Sequence, residues 1–285
     1  MLMLKAGALT REVSADWDFL WPLVWVSPSG AADTLRWLSV ACFLSSLLAL
    51  HFSNKRSFRL FFILLFLPAC TIPNSLGGIN HPYHAWFWIG VCFVFLPDVK
   101  RGEISRHIEM SYLLVISTCQ ALLLFFYSLA GFWKLVYGLQ GLFAGYEGNF
   151  SPRGLALTLA DRMLQTGTDP LLANFFIVNY WLSWPMFIGV IYIQFVAVLV
   201  AFRPRLHALW GYLLIFFHLG TYLLMEIGFS QHVLFLALLF VMSPFRPMQW
   251  SLPQVIGDLP IVGLVYRRVL TRFAASAPGR QVPAR

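Results

Sequence analysis

Charge is what this sequence has least of. Only 11% of its 285 residues are charged, and just 12 of them are acidic, whereas a soluble domain carries about 25% charged residues. Apolar residues make up 59%, an excess that one soluble core cannot absorb. Catalytic signatures are missing as well: there is no GxSxG, P-loop, HExxH or GxGxxG. This excludes nucleophile-elbow hydrolysis, P-loop phosphate binding, HExxH zinc-dependent hydrolysis and Rossmann dinucleotide binding as motif-borne functions. The four cysteines, Cys42, Cys70, Cys92 and Cys119, fall in four separate hydrophobic runs with no CxxC spacing, so they are expected to be small buried hydrophobes rather than metal ligands. No internal repeat of the secondary-transporter kind is visible.

What remains is an all-α, multi-pass transmembrane bundle with amphipathic interfacial segments. Apolar runs bounded by charge, Pro or Gly predict seven spans, at about 35–52, 57–73, 82–97, 111–138, 173–202, 208–228 and 231–245. The organisation expected is an N-terminal interfacial segment 1–33, a membrane domain 34–245 and a basic tail 246–285, with no room for a second, soluble domain. Lys5 is followed by the polar "TREVSADWD" rather than an apolar stretch, so no cleavable signal peptide is expected. Trp17, Trp21 and Trp25 recur every four residues, which suits a segment lying in the interface.

The net charge of +8 is not a nucleic-acid signal, because the cations sit between hydrophobic runs rather than on one soluble face. Their distribution orients the chain. Lys55, Arg56, Arg59, Lys100, Arg101, Arg106, Arg203, Arg205 and the six arginines from Arg246 onward fall in one alternate set of loops. The other set holds only Lys5, Arg11, Arg153 and Arg162, with Arg36 and Lys134 within or beside helices. By the positive-inside rule the N-terminus lies outside and the C-terminus is cytoplasmic, as expected for a bacterial inner-membrane protein. The tail "VIGDLPIVGLVYRRVLTRF" alternates apolar and basic residues and is expected to rest on anionic lipid.

Ionisable groups at membrane depth are costly and mark functional candidates. Lys134, in "YSLAGFWKL", is either a snorkelling interfacial lysine or a neutral amine held against packed protein and available as a base. Ala130 and Gly131 favour the second by letting a helix approach, and Tyr127 shares the face. In "FHLGTYLLMEIGF", His218, Tyr222 and Glu226 follow at i, i+4 and i+8. His218 is either a structural histidine or a cavity residue, and Glu226 is either part of the site or an ion-pair partner of Lys134 or Arg36. In "NSLGGINHPYH", Asn80 as helix cap with Pro82 in the first turn is the plain account. His81 and His84 alone are weak metal ligands, and no metal is expected. The loop "GYEGNFSPRG" leads into the amphipathic "LALTLADRML", read as a surface helix or as a lid over an outer-leaflet site.

These three segments, in this order over about residues 34–245, resemble the membrane-embedded HTTM (horizontally transferred transmembrane) domain of the vitamin K-dependent γ-carboxylase family. The resemblance lies in "NSLGGINHPYH", in "YSLAGFWKL" and in "FHLGTYLLMEIGF" followed by Ser243-Pro244. It implies a reduced quinone of the vitamin K or menaquinol type as cofactor, with Lys134 as the base that deprotonates it and His81 stabilising the developing oxyanion. Asn80, Tyr127, His218, Tyr222 and Glu226 would line the same cavity. Acidic and tryptophan residues that follow the lysine in the carboxylases are replaced here by "VYGLQG", and the large soluble region of the animal enzymes does not follow the last span. The expected activity is therefore base-assisted quinol oxidation of lyase or oxidoreductase type rather than peptide carboxylation. The alternatives are a non-enzymatic quinone holder serving a redox partner protein, and a transporter.

Overall fold

A computed structural model describes residues 20–27, 30–71, 75, 83–99, 105–245, 247, 249 and 251–276. These are helices and their connections, with no strand among the described residues. Three helices are long and apolar enough to cross a membrane, over Asp33–His51, Arg106–Ala144 and Pro204–Met225. Their outward faces are as apolar as their packed ones: Phe43, Leu44 and Leu47, then Leu114, Phe125 and Leu129, then Phe216 and Leu219 are all exposed. Such faces are unfavourable in water and suit hydrocarbon. Trp21 and Trp25, in the segment read as interfacial, are exposed too. Trp17 lies outside the described residues.

The helices found at the other predicted spans are shorter than the roughly 20 residues that a crossing needs. The chain divides into two compact units, Met1–Leu123 and Leu124–Arg285. The first holds α1 (Ala31–His51), α2 (Arg56–Thr71), α3 (His84–Val94) and the start of α4 (Arg106–Ala144). α2 carries Pro68 near its end, where the ring removes one helical hydrogen bond. α3 covers 11 residues with Tyr83 as its N-cap, and the "NHP" expected to cap it lies outside the described residues. Cys42, Phe66, Ala69, Cys70 and Tyr83 form one core cluster, flanked by Leu38, Phe62 and Trp86. All four cysteines are buried, and none is in a disulfide. Cys92 of α3 and Cys119 of α4 hydrogen-bond to one another, a pairing that their separate runs concealed.

Arg59, assigned above to a loop, lies inside α2 and is buried. Its guanidinium donates to Ser53 O at 2.5 Å and to Leu96 O, and lies 3.4 Å from the Asp98 carboxylate. Asp98 also accepts the Arg56 backbone N–H at 2.6 Å. The α1–α2 turn and the segment after α3 are thus tied at one end of this unit. Arg59→Ala is expected to lower stability by about 2–3 kcal/mol, because two carbonyls lose a charged donor. A detergent-phase thermal melt checks this, and an unchanged midpoint would mean the tie contributes nothing.

The second unit continues α4 and adds α5 (Gly154–Thr166), α6 (Ala173–Val178), α7 (Tyr180–Phe195), α8 (Ala197–Val200) and α9 (His207–Met225), which a 3-10 turn, Pro204–Leu206, precedes. α10 (Ser230–Leu236) runs into a π-helical turn, Ala237–Val241, and α11 (Leu252–Asp258) and α12 (Val262–Ser276) close the described chain. The predicted span 173–202 is not one helix. It breaks at Asn179, whose side-chain amide donates to Phe175 O at 2.8 Å, and again at Val196. α4 packs across the second break. The Ser128 hydroxyl accepts the Val198 N–H at 2.8 Å, and Gly131 faces the backbone of Gln194 and Phe195 with no room for a Cβ. The close approach expected of Gly131 is therefore present.

Candidate functional site

α4 and α9 carry the candidate side chains because both are long apolar helices with polar groups on their buried faces, Tyr127 on α4 and His218 on α9 among them. Tyr127 and His218 are 6% and 5% exposed, and the Tyr127 hydroxyl lies 2.5 Å from His218 Nε2. The chain reversal after α9 completes the cluster. Glu226 takes a left-handed conformation, φ 55°, the Ile227 N–H reaches back to Thr221 O, and the Thr221 hydroxyl donates to His218 O at 2.9 Å. That turn brings Phe229 and His232 beside His218, with ring centroids 4.9 and 5.5 Å away. His232 also meets the Tyr127 ring edge-on at 6.3 Å. His218 Nδ1 is buried and has no hydrogen-bond partner among the described residues.

Sequence reasoning missed His232. The signal was present, an ionisable residue in the first turn of the last apolar run, but it stood at the run's edge and read as a loop residue. His207 was missed too. It is fully buried, with Nε2 donating to Ala201 O at 3.2 Å and Nδ1 2.8 Å from the Ser243 hydroxyl. Ser243 thus serves the packing of this unit by satisfying a core histidine.

Glu226 departs from its expected place. The helix ends at Met225, so Glu226 sits in the turn rather than on the His218 face, and it is exposed. Tyr222 is 56% exposed and points away from the cluster. Neither Lys134 nor Glu226 forms an ion pair with any described residue, nor does Arg36. The expected pairing of Glu226 with Lys134 is therefore corrected. Asn80 and His81 lie outside the described residues. No group of three His, Cys, Asp or Glu able to hold a metal occurs among the described residues.

Lys134 is half-buried on the α4 stripe that also carries Tyr127, Gly131 and Gly138. Its carbonyl accepts the Asn149 side-chain amide at 2.8 Å. The loop holding Asn149 folds back on the end of α4: Gly141 packs on Gly148 with no space for side chains, and Trp184 Nε1 donates to Phe150 O at 3.0 Å. α5 then docks through Leu155 and Leu159 onto Phe187 and Ile191 of α7, with Leu224 and Met225 of α9 alongside. The amphipathic stretch is thus a helix seated over the ends of α7 and α9, with Leu157 and Leu164 on its outer face.

The Tyr127–His218 bond invites a double-mutant cycle. Tyr127→Phe is expected to cost about 1–3 kcal/mol, because it leaves His218 Nε2 buried without a partner. The Tyr127→Phe/His218→Leu double variant should lose less than the sum of the singles. Strict additivity in thermal melts would show that the two groups are not coupled. No family model, no curated protein and no solved structure matches the chain.

Proposed function

We propose that this chain is a multi-pass membrane protein of the HTTM type that holds a quinol-like lipophilic ring against the Tyr127–His218–His232 cluster and uses Lys134 as a base. One observation carries the reading: a tyrosine and a histidine share a buried hydrogen bond in an apolar bundle while His218 Nδ1 keeps an unused polar atom. Buried polar groups are normally satisfied, so the unused nitrogen fits a ligand oxygen, and the aromatic rings of Phe217 and Phe229 beside it fit a planar ring. Lys134 stands two turns further along the same face of α4, about 10 Å along the axis.

The residues divide the work by position. Tyr127 fixes the His218 ring and its tautomer. His218 offers Nδ1 to a ring oxygen, and the Lys134 amine takes a proton from a ring hydroxyl. A bound reduced quinone would supply two electrons to dioxygen on oxidation. Asn80 and His81 enter only through the resemblance of their segment.

The finer membrane reading is seven spans, N-terminus outside, in a bacterial inner membrane. It is supported by the charge asymmetry and by ties within each unit between cations assigned to the same side: Arg56 and Arg59 meet the segment after α3, and Arg203 and Arg205 meet Asp258. The test is to purify the protein in detergent, identify any co-purifying quinone, and follow oxygen-dependent consumption of added menaquinol. Binding with consumption is expected. Binding without consumption would leave a quinone holder and sink the enzyme, and absence of binding would sink the site.

A further inference from the structure

At the start of α9, three arginines converge on one residue, Asp258, two at its carboxylate and one at its carbonyl. Asp258, the last residue of α11, receives Arg205 Nη1 at 3.0 Å and Arg267 Nη2 at 3.2 Å on its two oxygens, and its carbonyl accepts Arg203 Nη1 at 2.5 Å. Arg267 also donates twice to Gly257 O. Beside these groups lies a cavity of about 440 Å³, walled by Arg203, Arg205 and Asp258 together with Phe202, Pro204 and Phe245. That volume is within the ordinary range for a small-molecule site.

The local charge does not cancel. Two guanidinium groups meet the one carboxylate and a third, that of Arg203, meets the Asp258 carbonyl; Arg203 and Arg205 each commit one donor to Asp258, leaving most of each planar fork for an anion. The corner that sets this geometry is built at a conformational cost. Ile261 adopts φ 63°, a region unfavourable for a β-branched residue. It is held there by the Val262 N–H to Pro260 O bond at 2.7 Å and by the Tyr192 hydroxyl donating to the same carbonyl at 2.5 Å. The hairpin so formed presents Asp258 to the cleft, with Arg267 bonded to it.

A second observation indicates what the anion is attached to. Phe202, at the rim, is exposed and lies two residues before a helix long and apolar enough to cross a membrane. α12, the next arm of the hairpin, leaves Val262, Leu264, Val265 and Val269 exposed while carrying Arg267 and Arg268. An apolar stripe bordered by cations is the pattern of a helix lying in the headgroup layer. The cleft therefore joins cationic walls to apolar ones at the level where phosphate meets acyl chain.

We infer that this cleft binds the headgroup phosphate of an anionic phospholipid, with Arg203 and Arg205 as its ligands and Phe202 and Phe245 against the apolar part of the lipid. The site is independent of the quinol reading and stands or falls by its own measurement.

The full chain, purified in a neutral detergent, is titrated with dioctanoyl phosphatidylglycerol, with dioctanoyl phosphatidylcholine and with inorganic phosphate, and binding is read by native mass spectrometry and thermophoresis. Saturable binding of phosphatidylglycerol is expected, about tenfold tighter than phosphatidylcholine, weakening as salt rises and not displaced by millimolar phosphate. Arg203→Gln/Arg205→Gln should weaken it by about tenfold or more, while Arg153→Gln, in the loop before α5, leaves it unchanged. Equal affinity for the two lipids, displacement by free phosphate, or an unaffected double variant overturns the inference. Should the double variant fail to fold, the wild-type comparison of the three probes decides alone.

Discussion

Replacing Gly131 by alanine is expected to cost more than about 3 kcal/mol and to leave the second unit poorly folded, and valine is expected to abolish recovery of monodisperse protein. A Cβ at this position would stand 2.3 Å from Phe195 N, 2.6 Å from Phe195 Cα and 2.7 Å from the Gln194 carbonyl carbon. All three are main-chain atoms, so no side-chain rotation relieves the clash. Overpacking a core commonly costs about 1–3 kcal/mol where side chains can yield, and here the helices themselves must part. Parting them would also stretch the Ser128 to Val198 bond, which α4 makes one turn earlier. Gly189 of α7 is the control. A Cβ there would meet nothing within 4 Å, so Gly189→Ala should be neutral or stabilise by up to about 1 kcal/mol through helix propensity. Equal melting midpoints for the two alanine variants would contradict the close approach.

Lys134→Ala is expected to slow menaquinol consumption by about 10²–10⁴-fold, the usual contribution of a positioned general base, while quinone binding persists. Alanine alone does not separate a base from an anchor. Lys134→Arg does, because a guanidinium keeps the long stem and the positive charge yet remains protonated at any accessible pH. If Lys134 merely snorkels, arginine should restore everything that alanine removes. If it is the base, Lys134→Arg folds and binds like the wild type but consumes quinol no faster than Lys134→Ala. The Asn149 bond goes to the Lys134 carbonyl, so both substitutions leave the loop clasp in place.

The helical class was legible because it rests on composition and on long apolar runs. α1, α4 and α9 each overlap a predicted span for that reason. The boundaries followed other causes. α4 runs from Arg106 to Ala144, beyond both ends of its apolar run, because the polar "RHIEMSY" propagates a helix well and because the loop clasp on Gly141 supports the last turns. Asn179 divides the fifth run although hydropathy continues through it, since its amide satisfies the Phe175 carbonyl locally and offers the backbone an alternative to the helix. Glu226 was misplaced because an i, i+8 argument assumes that the helix continues, and the turn at "MEIGF" ends it. Of the proposed site, Tyr127 and His218 were singled out as polar groups at membrane depth, and the structure places them side by side. His232, and the pairing of Cys92 with Cys119, depend on which helices become neighbours, and no local pattern encodes that.

α4 has a further consequence for its surroundings. At 39 residues without a proline it extends about 58 Å, while the hydrocarbon layer is about 30 Å thick and the whole bilayer about 40–45 Å. A continuous rod of this length cannot be shortened, so a membrane must accommodate it by tilt or by letting its ends stand in the headgroups and water. The depth at which Lys134 rests then depends on the thickness of the lipid as well as on the protein. Bilayers of graded acyl length would shift that amine between the oily layer and the aqueous edge, making the lipid itself a dial on the chemistry proposed for it.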